Sequence, residues 1–171
     1  RLPDAHGLLA EWDLLQERAD EARLRLRALP DRPDLQSVDT SACLWVLAWA
    51  YLELDVEDQA EETALRAVEE ATTLGRRIEL VHALRVLGML RRYQGRWDEG
   101  QRVFEEAVHL ARSMPYPYAE ARALYEWGLL RLQKGDPQQG QERLEEALAI
   151  FQRLGARPHI ERAEQALAKL G

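Results

Sequence analysis

The sequence predicts an all-α protein built as a right-handed superhelical stack of antiparallel helix pairs. Three observations carry this. Apolar residues recur at alternating spacings of three and four along almost the whole chain, which is the period of an amphipathic helix. Glycines and prolines break that pattern at regular intervals. A set of small and large residues returns every forty positions, which is the mark of a repeat architecture. No strand-like alternation appears anywhere.

The elements follow in chain order. Leu8, Trp12, Leu15, Ala19, Ala22, Leu26 and Leu29 form one narrow apolar stripe, so residues 1–29 read as a single flanking helix that covers the end of the array. Such a stripe also suits self-association through this helix. Pro30 and Pro33 end it, and residues 30–40 form a polar linker. Asp39, Thr40 and Ser41 offer N-cap side chains for a helix over 41–54, with Leu44, Leu47, Ala48 and Tyr51 on one side. Residues 57–74 supply its partner helix, and Gly75 stops it. The next pair starts near Arg77, turns at Gly95 and resumes at Trp97. Pro115 and Pro117 break the chain again. The third pair turns at Gly135, where Asp136-Pro137 is an N-cap followed by a first-turn proline. These are three units in a forty-residue register, 41–80, 81–120 and 121–154. Residues 155–171 supply a capping helix, apolar at Ile160, Ala163, Leu167 and Leu170 and polar on its other face.

The register assigns the packing residues. Ala48, Gly88, Gly128 and Ala168 hold one small position. Ala60, Gly100 and Gly140 hold a second, and Ala67, Ala107 and Ala147 a third. A glycine inside a helix costs about 1 kcal/mol relative to alanine. Glycines at Gly88, Gly100, Gly128 and Gly140 therefore call for a close approach between helices. Ala64, Phe104 and Leu144 fill the larger pocket of each second helix.

This pattern resembles the tetratricopeptide repeat, a helix-turn-helix unit with the same order of small and large positions. The resemblance covers residues 41–154 and departs in period, forty here against about 34 in the standard repeat. It also lacks the standard final proline. Long repeats of this kind look like those of bacterial signal-transduction ATPases and transcriptional activators. The resemblance implies a sensor or docking arm in such a regulator, with the first helix of each pair lining a concave face. By that geometry the partner-binding residues are Trp45 and Trp49, then His82, Arg85, Met89, Arg92 and Tyr93, then Arg122 and Tyr125. Trp, Tyr, Met and Arg are the types enriched in binding hot spots. Arg85, Arg92 and Arg122 would form a basic patch able to hold a carboxylate, a phosphate or an acidic peptide. Pairing with neighbouring glutamates is the alternative. The carboxylate-clamp subtype uses Asn and Lys, and this chain has no Asn, so that clamp is not expected.

Composition limits the other functions. The chain has 171 residues and a formal net charge of −7, which disfavours direct nucleic-acid contact. Cys43 is the single cysteine, and its apolar flanks mark it as a buried small residue. It allows no intrachain disulfide and points to a reducing, cytoplasmic setting. No apolar run reaches the roughly 20 residues of a membrane span. Arg stands almost everywhere in place of Lys, as in a GC-rich bacterial genome, and the start at Arg1 suits a segment of a longer polypeptide. His6, His82, His109 and His159 lie on separate helices, read as surface or interface residues, and have no metal-ligand spacing. No phosphate-cradling loop and no catalytic constellation is present. The expectation is a non-enzymatic domain without metal or cofactor. Its concave face binds a protein or peptide partner or, alternatively, a small-molecule inducer.

Overall fold

A computed structural model describes residues 2–31 and 37–171, with side chains over 5–31 and 41–171. Among these residues the regular elements are all helices. They run α1 (Leu2–Leu15), α2 (Ala19–Leu26), α3 (Ser37–Glu53), α4 (Glu57–Thr73), α5 (Arg77–Tyr93), α6 (Trp97–Ser113), α7 (Pro117–Lys134), α8 (Pro137–Leu154) and α9 (Arg157–Ala168). From α3 onward each helix begins twenty residues after the previous one, so the forty-residue register is that of helix pairs. Tight turns join successive helices, and four of them carry a glycine in the left-handed region, as at Gly135 (φ 94°). Asp136 then caps α8 by accepting from the Gln139 backbone N–H at 3.2 Å.

The pairs α3/α4, α5/α6 and α7/α8 stack through α4 on α5 and α6 on α7. The odd helices α3, α5 and α7 also touch one another directly, while the even helices meet chiefly their odd neighbours. The array therefore bends toward the odd layer. Helix α5 lies at the centre, and every residue from Val81 to Arg91 is buried.

Glycines set how closely these layers meet. A Cβ on Gly88 would lie 2.5 Å from the Phe104 ring, and one on Gly100 would lie 2.7 Å from Leu130. Gly128 and Gly140 approach backbone to backbone. A Cβ on either would stand 3.0 or 3.1 Å from the other's carbonyl oxygen, with Leu144 and Leu132 closer still. Ala48 and Ala60 are buried at the equivalent contacts of the first pair. Ala168, in register with them, is exposed, because it ends the last described helix.

The N-terminal segment departs from expectation. Residues 1–29 form two helices, not one. Glu17 takes a left-handed conformation (φ 59°), and α2 folds back along α1. Buried Asp13 secures the reversal by pairing with Arg18 at 2.8 Å and Arg25 at 3.1 Å. The predicted stripe fails on α1 for the same reason. Leu8 and Trp12 are exposed, while Gly7, Ala10 and Leu14 face inward, and Ala22, Leu26 and Leu29 are buried as the stripe placed them. The linker is also shorter than 30–40. Helix α3 begins at Ser37, so Asp39, Thr40 and Ser41 lie inside its first turns and not ahead of it. Residues 32–36, Pro33 among them, lie outside the described residues. No described helix is long and apolar enough to cross a membrane.

Candidate functional site

The inward bend brings four side chains of α3, α5 and α7 together. Trp45 and Trp49 stand one turn apart on α3, so they share a helix face. The Arg85 guanidinium, from α5, lies 5.6 Å from the Trp45 ring centre and 5.0 Å from that of Trp49. Arg122, from α7, lies 5.7 and 5.4 Å from the same two rings and 5.4 Å from Tyr118. Two cations thus share one aromatic frame, an arrangement that gains strength when water is excluded.

The charges in this layer do not balance. Arg92 pairs with buried Glu126 at 3.1 Å, without good hydrogen-bond alignment. Arg122 Nη1 donates to Glu11 of α1. Arg85 donates from Nη1 to the Met89 sulfur at 3.4 Å, which is a weak acceptor. Its Nε and Nη2 have no hydrogen-bond partner among the described residues, and neither has Arg122 Nη2. Arg85 is only 2% exposed. Burial, then the neighbouring Arg122, pulls its pKa down to about 9, so it stays cationic at neutral pH. Unpartnered buried charge is costly, which makes this spot an exception that calls for a reason.

A ladder of rings extends from the frame. Trp45 stacks on His82 at 4.6 Å, and His82 meets Tyr116 edge-on at 6.1 Å. Tyr116 leads to Tyr118, which meets His159, and His159 stacks on Phe151 at 4.8 Å. The Tyr118 hydroxyl and His159 Nε2 are 2.9 Å apart. Burial and then the nearby arginines hold His159 down to about 3, and the same causes hold His82 well below its ordinary value. Both rings are neutral at pH 7 and packed between helices, which is the interface half of the surface-or-interface expectation.

The expected open groove is largely filled. Trp45, Trp49, His82, Arg85, Met89 and Arg122 are buried, because the bend carries Arg122 over the tryptophans and α1 lies across the layer. Arg92 and Tyr125 are half-buried, the latter under Arg162 at 5.3 Å. Tyr93 is exposed at the end of α5 and stands apart from the frame. Two clefts flank the covering helix. One of about 670 Å³ is lined by Leu14, Trp49, Tyr125, Leu129 and Arg162. The other, of about 420 Å³, is lined by Leu8, Trp12, His82, Tyr116 and Arg122. Glu11, Tyr118, Glu126 and His159 join the site without having been expected there. The even spacing of Arg122 and Glu126, one turn apart, was a signal for Glu126; Glu11 had none, since its segment lies outside the register. Among the described residues no group of His, Cys, Asp and Glu could hold a metal ion, and Cys43 is buried.

No protein-family model matches the chain, and no curated protein matches it. Solved structures do. A Rap protein complexed with competence and sporulation factor superposes with a TM-score of 0.84 at 15% identity, over 96% of this chain and 47% of that one. A kinesin-light-chain-like protein of Podosopora anserina with nearly identical TPR-like repeats gives 0.64 at 20% identity, over 97% and 87%. The fold is a tetratricopeptide-like helical repeat. The pilF protein of Pseudomonas aeruginosa is similar too, with a TM-score of 0.60 at 20% identity over 99% and 76%. At these identities the likeness concerns the fold, and the chain spans about half the length of the Rap protein.

Proposed function

We propose that this domain is a non-enzymatic interaction module whose odd-helix face binds a protein or peptide. The carrying observation is the buried Arg85–Arg122 pair framed by Trp45 and Trp49, with donors of both arginines unpartnered. Desolvated arginines against aromatic rings are the chemistry of binding hot spots. A stable fold spared this cost would place apolar side chains there. The similar Rap structure contains a bound factor, which supports the same use of the fold. In this reading the domain belongs to a bacterial, cytoplasmic multidomain regulator of transcription or signalling. A small-molecule inducer is the second reading, favoured by the two clefts, whose volumes suit small ligands.

Panning a random peptide library against the folded domain tests the first reading. Selected peptides are expected to lose affinity at least about tenfold, roughly 1.4 kcal/mol, with Trp49→Ala and with Arg122→Gln. Glu105→Ala, on the outer face of α6, should leave binding unchanged. Binders indifferent to Trp49 and Arg122 would remove the odd-helix face from the function. Failure to select any peptide, with saturable tryptophan quenching by a small ligand, would favour the inducer.

A further inference from the structure

We propose that Arg85 and Arg122 form a carboxylate-binding site that Glu11 of α1 holds closed, and that a partner enters by presenting its own carboxylate in place of Glu11. This deepens the reading of the odd-helix face as the binding face and rests on it.

The charge inventory is the first ground. The Arg92–Glu126 pair is neutral, and Glu11 offsets Arg122. Arg85 makes no ion pair among the described residues and has two donors unpartnered, and Arg122 keeps one donor unpartnered beside it. A guanidinium is a planar fork matched to a carboxylate, and the tryptophan faces fix both forks in place. The group that Arg122 already holds is a carboxylate, so the site displays the chemistry it accepts.

Space is the second ground. Only about 10 Å³ is open beside Arg85, Arg122, Glu126 and His159. That is room for about one water, not for a second carboxylate. An incoming anion that engages both Arg85 and Arg122 therefore takes the position of Glu11. The 420 Å³ cleft lined by Glu11, Arg122, His82 and Tyr116 opens beside this contact and supplies the route.

The covering helix is the third ground. Helix α1 turns Leu8, Leu9 and Trp12 to solvent, at 70%, 49% and 52% exposure. Its buried contacts, Gly7, Ala10 and Leu14, lie elsewhere on its surface. Glu11–Arg122 is the ion pair that ties it across the array to α7. Exchanging that contact releases α1 from α7 while its packing on α2 and α3 remains, and it opens the tryptophan frame on the α7 side.

Tryptophan fluorescence at constant ionic strength tests this with defined probes. N-acetylglutamic acid α-amide carries a side-chain carboxylate, and N-acetylglycine carries a terminal one. N-acetylglutamine amide is the neutral control, and inorganic phosphate is the other anion. In Glu11→Gln, at least one carboxylate probe is expected to bind saturably about tenfold or more tighter than in the wild type, because competition by the internal carboxylate is gone. Adding Arg85→Met should abolish that gain, and the neutral control should not bind. The better of the two carboxylate probes assigns the source. Equal affinities in wild type and Glu11→Gln, equal binding of the neutral control, or a preference for phosphate would overturn the proposal. A second measurement uses the unmutated protein. Saturating N-acetylglutamic acid α-amide should speed amide hydrogen exchange over residues 8–15, and unchanged exchange there would also overturn it. Selected peptides that depend on Trp49 and Arg122 but not on Glu11 would retain the binding face and remove the lock. Acetyl probes that bind while no peptide does would retain the carboxylate site and remove the peptide reading.

Discussion

Gly128 and Gly140 show how far single residues decide the packing. Their backbones meet so closely that a Cβ on Gly128 would lie 2.8 Å from Leu144 and 3.0 Å from the Gly140 carbonyl oxygen. A side-chain end can rotate away, but a carbonyl on a helix cannot. Gly128→Leu is expected to destabilise the domain by about 1–3 kcal/mol or more through overpacking. For a chain of this size each kcal/mol is worth roughly 2–4 °C in Tm, so calorimetry resolves the change. An unchanged Tm would contradict the close approach. This contact was legible in the sequence, because a glycine inside a helix at a repeating position has few other reasons. The fate of Arg85 was not. Its position in the register marks the inward side, but whether that side is open or filled depends on residues far away in the chain.

Among the elements, α5 and α9 carry buried histidines whose titration is predictable in sign. Burial lowers His82 well below its ordinary 6.5 and lowers His159 to about 3. The unfolded chain takes up these protons near pH 6.5, and the folded protein resists them. The stabilisation is therefore complete above pH 6.5 and is lost progressively as pH falls below it, for His159 down to about 3. Each histidine contributes a slope of up to about 1.4 kcal/mol per pH unit in that window. The urea midpoint is expected to fall between pH 7 and pH 5.5. The fall should shrink in His82→Phe and in His159→Phe, whatever either change does to absolute stability. Identical slopes in all three proteins would contradict the buried, neutral state. Helix boundaries from 57 onward were readable from glycines and prolines, since those residues act locally. The N-terminal hairpin was not, because its reversal hangs on Glu17 in a left-handed conformation and on Asp13 bonding to Arg18 and Arg25. Glutamate does not announce a turn, and an aspartate set among the apolar residues of a helical stripe reads as a face residue of that helix.

For the whole molecule, curvature is what makes the site. Direct contact among α3, α5 and α7 bends the array until Arg122 reaches Trp45 and Trp49 and until Glu11 reaches Arg122, 111 residues along the chain. Local periodicity encodes each helix and its inward face. It does not encode the sum of small rotations between pairs, and that sum decides whether the face is a groove or a closed layer. The same bend leaves two clefts beside α1, so the closed layer lies one helix displacement from an open one. Amide hydrogen exchange across the full domain, with and without a peptide selected by panning, tests this most directly. Protection is expected over the inward turns of α3, α5 and α7 together with faster exchange over α1. Protection confined to α4, α6 and α8, with α1 unchanged, would contradict it.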